Sequence, residues 1–201
     1  MSTRHECLRR LTSRLGDELV VTGPGATARE LCALNDRDGN LYRVYMGGVV
    51  PMALGLALAL PHRQVIALDG DGSLLMGLTI LPVVGHYKPK NLLVIVFDNG
   101  IYEGAGKHPT LTARDTSLAA IARAVGIQAG RETTDVEAFE QALDLALQAN
   151  EIGFLVVKVD PGSQAPYAGL DGVENKYRFI RHIEKTESVR VFEPPARKST
   201  R

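Results

Sequence analysis

Several short apolar runs punctuate the chain, and each is continuous rather than alternating: "ELVVT" (18–22), "QVIAL" (64–68), "LLVIVF" (92–97) and "FLVVKV" (154–159). "YRVYM" (42–46) is a weaker fifth. A strand with one wet face alternates apolar and polar residues. An unbroken Val/Ile/Leu run marks a strand buried on both faces, as in parallel sheets. Helical patterns lie between the runs: "TARELCALN" (27–35), "VVPMALGLALAL" (49–60), "SLLMGLTILPVVGHY" (73–87) and "SLAAIARAVG" (117–126). In 49–60 Leu and small residues alternate as in a strand, but Ala and Leu favour helix. The cleanest amphipathic helix is "DVEAFEQALDLALQAN" (135–150), where Val136, Phe139, Leu143 and Leu147 share a face. Strands alternating with helices predict an α/β doubly wound, mostly parallel sheet flanked by helices.

The 201 residues suffice for one good-sized domain, expected over 1–185. "PGSQAPYAGLDG" (161–172) reads as a loop, and 186–201, polar and proline-broken, as a flexible tail. With 45% hydrophobic residues the chain can build a real core. Lys plus Arg and Asp plus Glu balance at 23 each, so bulk charge gives no argument for nucleic acid. The apolar run near 49–60 is too short to span a bilayer, so no membrane role is expected. "MSTRHECLRR" has no apolar stretch after its charges and does not read as a signal peptide. Cys7 and Cys32 form no metal-binding spacing and fit a reduced, cytoplasmic chain.

In doubly wound sheets ligands sit beyond the carboxyl ends of strands, so the loops after Thr22, Leu68 and Phe97 hold the candidate chemistry. The second loop is Asp69-Gly70-Asp71-Gly72-Ser73. Its glycines let a ligand approach the backbone, Ser73 suits a helix N-cap, and amides at a helix start suit a phosphate. A carboxylate there repels a bare phosphate unless a divalent cation lies between them. The local chemistry therefore reads as metal plus diphosphate with Asp71 as ligand, against a plain tight turn. An EF-hand is excluded, because its sixth and twelfth positions would be Leu74 and Ile80. After the third run, Asn99 is a neutral oxygen ligand suited to Mg²⁺, although Asn99-Gly100 is also a common turn pair. The first loop, "TGPGATARE" (22–30), matches G-x-G-x-x-A, but "LYRVYMGG" lacks the acidic residue a dinucleotide site needs. Gly25, Ala26 and Thr27 at the helix start read better as a second diphosphate contact.

Gly70-Asp71-Gly72, then 26 residues, then Asn99 resembles the thiamine-diphosphate signature. The chain is similar to the diphosphate-binding (PP) domain of that superfamily over about residues 5–183. "MGGVVPMALGLALALPHRQVIALDGDGS" (46–73), "GHYKPKNLLVIVFDN" (85–99) and the closing "ENKYRFIRHIE" (174–184), with Asn175 and Phe179, extend the likeness. The resemblance implies that Asp71, Asn99 and the Ile101 carbonyl hold Mg²⁺. It also implies that the Gly72 amide and Ser73 touch diphosphate, with Gly70 and Tyr102 beside them. Met46, 25 positions before Asp71, falls where the family props the cofactor.

Sulfopyruvate and phosphonopyruvate decarboxylases carry domains of this kind. The implied activity is decarboxylation of a small 2-oxo acid. A separate pyrimidine-domain subunit would supply the activating Glu, in an α2β2 or larger hetero-oligomer. A carboligase of the acetolactate-synthase type and a non-catalytic cofactor-binding subunit are the alternatives. Glu103, Lys107 and His108 follow the metal loop and are the catalytic candidates, each with a surface-loop alternative; His86 reads as structural. Gly104-Ala105-Gly106-Lys107-His108 and "AGLDG" (168–172) depart from the decarboxylases' pattern, which leaves the second acidic group of the substrate open.

Overall fold

The computed structural model describes residues 2–165 and 171–191. Its strands are β1 (Ser2–Thr3), β2 (Leu19–Thr22), β3 (Asn40–Leu41), β4 (Val65–Gly70), β5 (Leu92–Asp98), β6 (Gly130–Thr133) and β7 (Gly153–Asp160). They form one sheet in the order β3-β2-β4-β5-β7, with β6 and β1 lying in succession along the outer edge of β7. Every pairing of these strands is parallel. The helices are α1 (Arg4–Thr12), α2 (Ala26–Asn35), α3 (Val49–Ala59), α4 (Asp71–Met76), α5 (Ile80–Tyr87), α6 (Leu118–Ala124), α7 (Val136–Gln148) and α8 (Gly172–Glu187). None in the described residues is long and apolar enough to cross a membrane.

The unbroken apolar runs are explained by two cores, one on each face. Along β4, Val65 and Ala67 point into one cluster and Ile66 and Leu68 into the other. Along β5, Val94 and Val96 face the first, while Leu93, Ile95 and Phe97 face the second. Helices α3, α4, α5 and α6 cover the first face; α1, α2 and α7 cover the second. Each Leu, Val or Ile so buried contributes about 1.5–3 kcal/mol, which outweighs any helical alternative for these runs.

Strand succession reverses between β2 and β4. From β2 the chain steps outward to β3, then returns to lay β4 on the other side of β2. This switch point opens a crevice at the carboxyl ends of β2 and β4, where doubly wound folds bind ligands.

Some elements differ from the sequence pattern. "YRVYM" is not a strand: β3 ends at Leu41, and Arg43 takes a left-handed conformation (φ 60°) that no strand can continue through. The pattern over 73–87 splits at Gly77–Thr79, and its first helix begins at Asp71, not at Ser73. Strand β6, "GRET", is polar and carries no apolar run. Helix α1 was also not anticipated, although Thr3 and Glu6 close a capping box at its start. The closing helix α8 runs to Glu187; of the expected tail, 192–201 lie outside the described residues, as do 166–170 of the loop before α8.

Candidate functional site

A cavity of about 340 Å³ occupies the crevice at the switch point. The three loops singled out in the sequence all line it. After β2 come Gly25, Ala26 and Thr27; after β4, Gly70, Asp71, Gly72 and Ser73; after β5, Asn99, Ile101, Tyr102 and Glu103. Met46, half-buried, joins them from the segment before α3. Lys107 and His108 do not line it. They sit exposed on the loop beyond, which is closed by the Tyr102 N–H donating to the His108 carbonyl at 2.8 Å. His86 is exposed at the end of α5.

The loop after β2 enters α2 through Gly25, whose φ of 93° suits glycine. Among the described residues no side chain caps α2, and its first residues, Ala26 and Thr27, line the cavity. Uncapped amides and the helix dipole together favour an anion.

The loop after β4 carries the carboxylates. Asp71 is 2% exposed, yet nothing cationic touches it in the described residues. Instead, Thr110 Oγ1 donates to Asp71 Oδ2 at 2.5 Å and Thr112 Oγ1 approaches the same oxygen at 3.0 Å. Burial raises the Asp71 pKa; the Thr110 hydroxyl pulls the other way and Asp98 adds to the rise. Asp69 is buried too, its Oδ1 accepting from the Gly70 N–H at 2.9 Å while Oδ2 has no partner among the described residues. Burial pushes its pKa to about 6. Two desolvated carboxylates at one strand end are costly unless a cation meets them. Ser73 does not cap a helix; it lies inside α4, and its hydroxyl accepts from the Gly47 N–H at 3.1 Å. Gly72 packs under the Tyr102 ring so closely that a Cβ would sit 2.4 Å from it.

The loop after β5 is built from two successive side-chain turns. Asp98 Oδ1 accepts from the Gly100 N–H, and Asn99 Oδ1 from the Ile101 N–H, each at 3.1 Å. Lys158 on β7 holds the other Asp98 oxygen at 2.6 Å. Glu103 is bound on several sides: Asn99 Nδ2 donates to its Oε2 at 2.8 Å, the Gly162 N–H to its Oε1 at 2.5 Å, and Arg4 lies 3.5 Å from Oε2. Arg4, 5% exposed, also pairs with the buried Glu30 at 3.3 Å.

The residues present fit a cation and a diphosphate. Among the described residues no three His, Cys, Asp or Glu side chains converge on a metal. The candidate donors are instead mixed: the Asp71 carboxylate, the Asn99 amide and the Ile101 backbone carbonyl, whose residues all line the cavity. Such hard oxygen donors suit a cation that completes its shell with phosphate oxygens and water. Sequence reasoning missed Arg4, Glu30, Thr110, Thr112 and Lys158. No local spacing signals them, because each meets the site from a distant segment.

Residues 37–159 match the family model described as thiamine pyrophosphate enzyme, C-terminal TPP binding domain. The chain is 36% identical over 200 residues to a phosphonopyruvate decarboxylase of Streptomyces viridochromogenes, covering 98% of this chain and 48% of that protein. It is 31% identical over 186 residues to a sulfopyruvate decarboxylase subunit beta of Methanocaldococcus jannaschii, covering 91% of this chain and 98% of the subunit. The chain thus spans about half of the first relative and nearly all of the second. In fold it is similar to the benzoylformate decarboxylase of Polynucleobacter necessarius (TM-score 0.65, 18% identity, 81% of this chain and 34% of that one).

Proposed function

Because the chain belongs to the thiamine pyrophosphate enzymes and carries their TPP-binding domain, we propose that it is the diphosphate- and metal-binding subunit of a two-chain 2-oxo acid decarboxylase. Its substrate would be a small 2-oxo acid bearing a second, strongly acidic group, of the sulfopyruvate or phosphonopyruvate type. The observation that carries this reading is the convergence of Asp71, Asn99 and the uncapped start of α2 on one cavity at the switch point.

Thiamine diphosphate, when bound, supplies the electron sink that lets a 2-oxo acid lose carbon dioxide. The chain's own residues hold and orient it. The amides of Ala26 and Thr27 receive diphosphate, joined by the Gly72 amide and by Ser73. Asp71, Asn99 and the Ile101 carbonyl hold Mg²⁺. Met46 supports the cofactor's middle, and Tyr102 lies over Gly72, with Gly70 beside it on the cavity wall. A separate pyrimidine-domain subunit supplies the opposite wall and the activating Glu, in an α2β2 or larger assembly. Full-length similarity to a beta subunit supports this arrangement. So does exposed apolar surface near the cavity: Tyr45 is 73% exposed and Met76 64%. Apolar surface of this kind, clustered beside a cavity, marks an interaction face. Lys107 and His108, on the exposed loop, meet the substrate's second acidic group only in the assembled site.

The test is co-purification with a candidate pyrimidine-domain subunit, then measurement of carbon dioxide and aldehyde formed from sulfopyruvate and phosphonopyruvate with thiamine diphosphate and Mg²⁺. Activity should need both chains and vanish in Asp71→Ala. Full activity and cofactor retention in that variant would overturn the proposal. A hydroxyketone product in place of the aldehyde would replace decarboxylation with carboligation.

A further inference from the structure

An asparagine side chain is nearly symmetric in shape but not in chemistry: one end is an oxygen, the other an NH₂. At a cation site only the oxygen end binds. Something must therefore decide which end of Asn99 faces the cavity. The structure supplies two partners that decide it by chemistry. The Ile101 N–H can only donate, and it meets Asn99 Oδ1 at 3.1 Å. A carboxylate can only accept, and Glu103 Oε2 meets Asn99 Nδ2 at 2.8 Å. Reversing the amide would set donor against donor and acceptor against acceptor.

Glu103 is itself held in place. The Gly162 N–H donates to its other oxygen at 2.5 Å, and the Arg4 guanidinium lies 3.5 Å from Oε2. Arg4 is 5% exposed and anchored on Glu30, which is 1% exposed. Glu30 in turn accepts from the Gln164 N–H at 2.9 Å. One carboxylate thus ties the loop after β5 to the loop after β7 and to the start of α1. This is a built support, assembled from three distant parts of the chain.

We propose that Glu103 is a positioning residue that fixes the Asn99 amide with its oxygen toward the metal. The inference rests on the reading of Asp71 and Asn99 as metal ligands. It also explains why an acid is needed. The Asn99 Nδ2 and Gly162 N–H donors meet different oxygens of Glu103, so a glutamine would set its NH₂ against one of them. Outer partners of metal ligands are worth roughly 10–100-fold in metal affinity.

The experiment titrates the chain assembled with its pyrimidine-domain partner with Mn²⁺ in the presence of thiamine diphosphate, following the free Mn²⁺ signal by electron paramagnetic resonance. Glu103→Gln should weaken Mn²⁺ binding about tenfold or more, with far-ultraviolet circular dichroism unchanged. The deciding comparison is the same substitution in an Asn99→Asp background. An aspartate has no wrong end to present, so the loss caused by Glu103→Gln should disappear or reverse there. An equal loss in both backgrounds would reduce Glu103 to a distant charge and overturn the inference, as would no loss in either. Asp71→Ala separates the two levels. If it binds Mn²⁺ as the parent does, or if the parent binds none, the underlying site reading fails and this inference with it. If Asp71→Ala loses binding and Glu103→Gln does not, only the role of Glu103 fails.

Discussion

The Thr112 hydroxyl stands between two buried carboxylates, 2.7 Å from Asp98 Oδ1 and 3.0 Å from Asp71 Oδ2. Asp98 ends β5 and Asp71 opens α4 directly after the neighbouring strand β4, and both are under 4% exposed. Left to themselves they would repel across a poorly solvated gap. Thr110 relieves Asp71 and Lys158 relieves Asp98, while Thr112 is the only described side chain hydrogen-bonded to both.

Thr112→Val keeps the shape and removes the hydroxyl. A buried carboxylate then loses the one proton that the hydroxyl donates, which costs about 1–3 kcal/mol. For a chain of this size that lowers the melting temperature by roughly 2–4 °C per kcal/mol. Thr112→Ser keeps the hydroxyl and should stay near the parent. A Thr112→Val melting curve that overlays the parent's would show that the bridge contributes nothing.

The contact of Gly72 with Tyr102 is equally specific. A Cβ on residue 72 would lie 2.4 Å from the Tyr102 ring, a distance no packed atom tolerates. Gly72→Ala must push the ring aside and disturb the loop holding Asn99. The expected result is weakened thiamine diphosphate binding, measured by calorimetry with the assembled protein. Adding Tyr102→Ala removes the obstacle and should recover part of that affinity. Failure of the double variant to improve on Gly72→Ala would place the damage in the backbone instead.

How far the sequence reveals this molecule depends on the range of each interaction. The buried strands were legible because a two-sided core demands unbroken apolar runs, and β4, β5 and β7 carry them. The loops were legible because a doubly wound sheet presents strand ends on one side, and Asp71 and Asn99 both line the cavity there. The role of Ser73 was not. Local preference makes it a cap, but its hydroxyl is taken by the Gly47 N–H, 26 residues away in sequence. Thr110 and Thr112 reach Asp71 across 39 and 41 residues, and Arg4 reaches Glu103 across 99. Thr, Arg and Glu are ordinary surface residues in any pattern. Only the fold turns them inward.

Asn175 joins α8 to the edge of the sheet. Its Oδ1 accepts from the Tyr42 N–H at 2.8 Å and its Nδ2 donates to the Asn40 carbonyl at 3.0 Å. It stands in for the next strand at the point where β3 ends. Asn175→Asp keeps the acceptor but sets a carboxylate oxygen against a carbonyl. A loss of about 1–3 kcal/mol should follow, read as a lower urea midpoint with unchanged slope. Protease sensitivity should rise first in α8. An unchanged midpoint would mean that Phe179, buried in the core beside it, docks the helix alone.

His182 gives the chain a pH dependence near neutrality. Burial first, then the Arg63 charge, hold its imidazole below the ordinary 6.5, with Asp38 opposing them. The folded chain therefore binds a proton less readily than the unfolded one. Where the unfolded state binds more protons, stability rises with pH. The contribution is complete above pH 6.5 and declines as the pH falls below it, until the folded-state imidazole is also protonated. Unfolding in urea between pH 7.5 and 5 should show this decline. His182→Gln removes the titrating group, so its stability should fall less over the same interval. Equal slopes for the two proteins would assign the acid sensitivity to other groups.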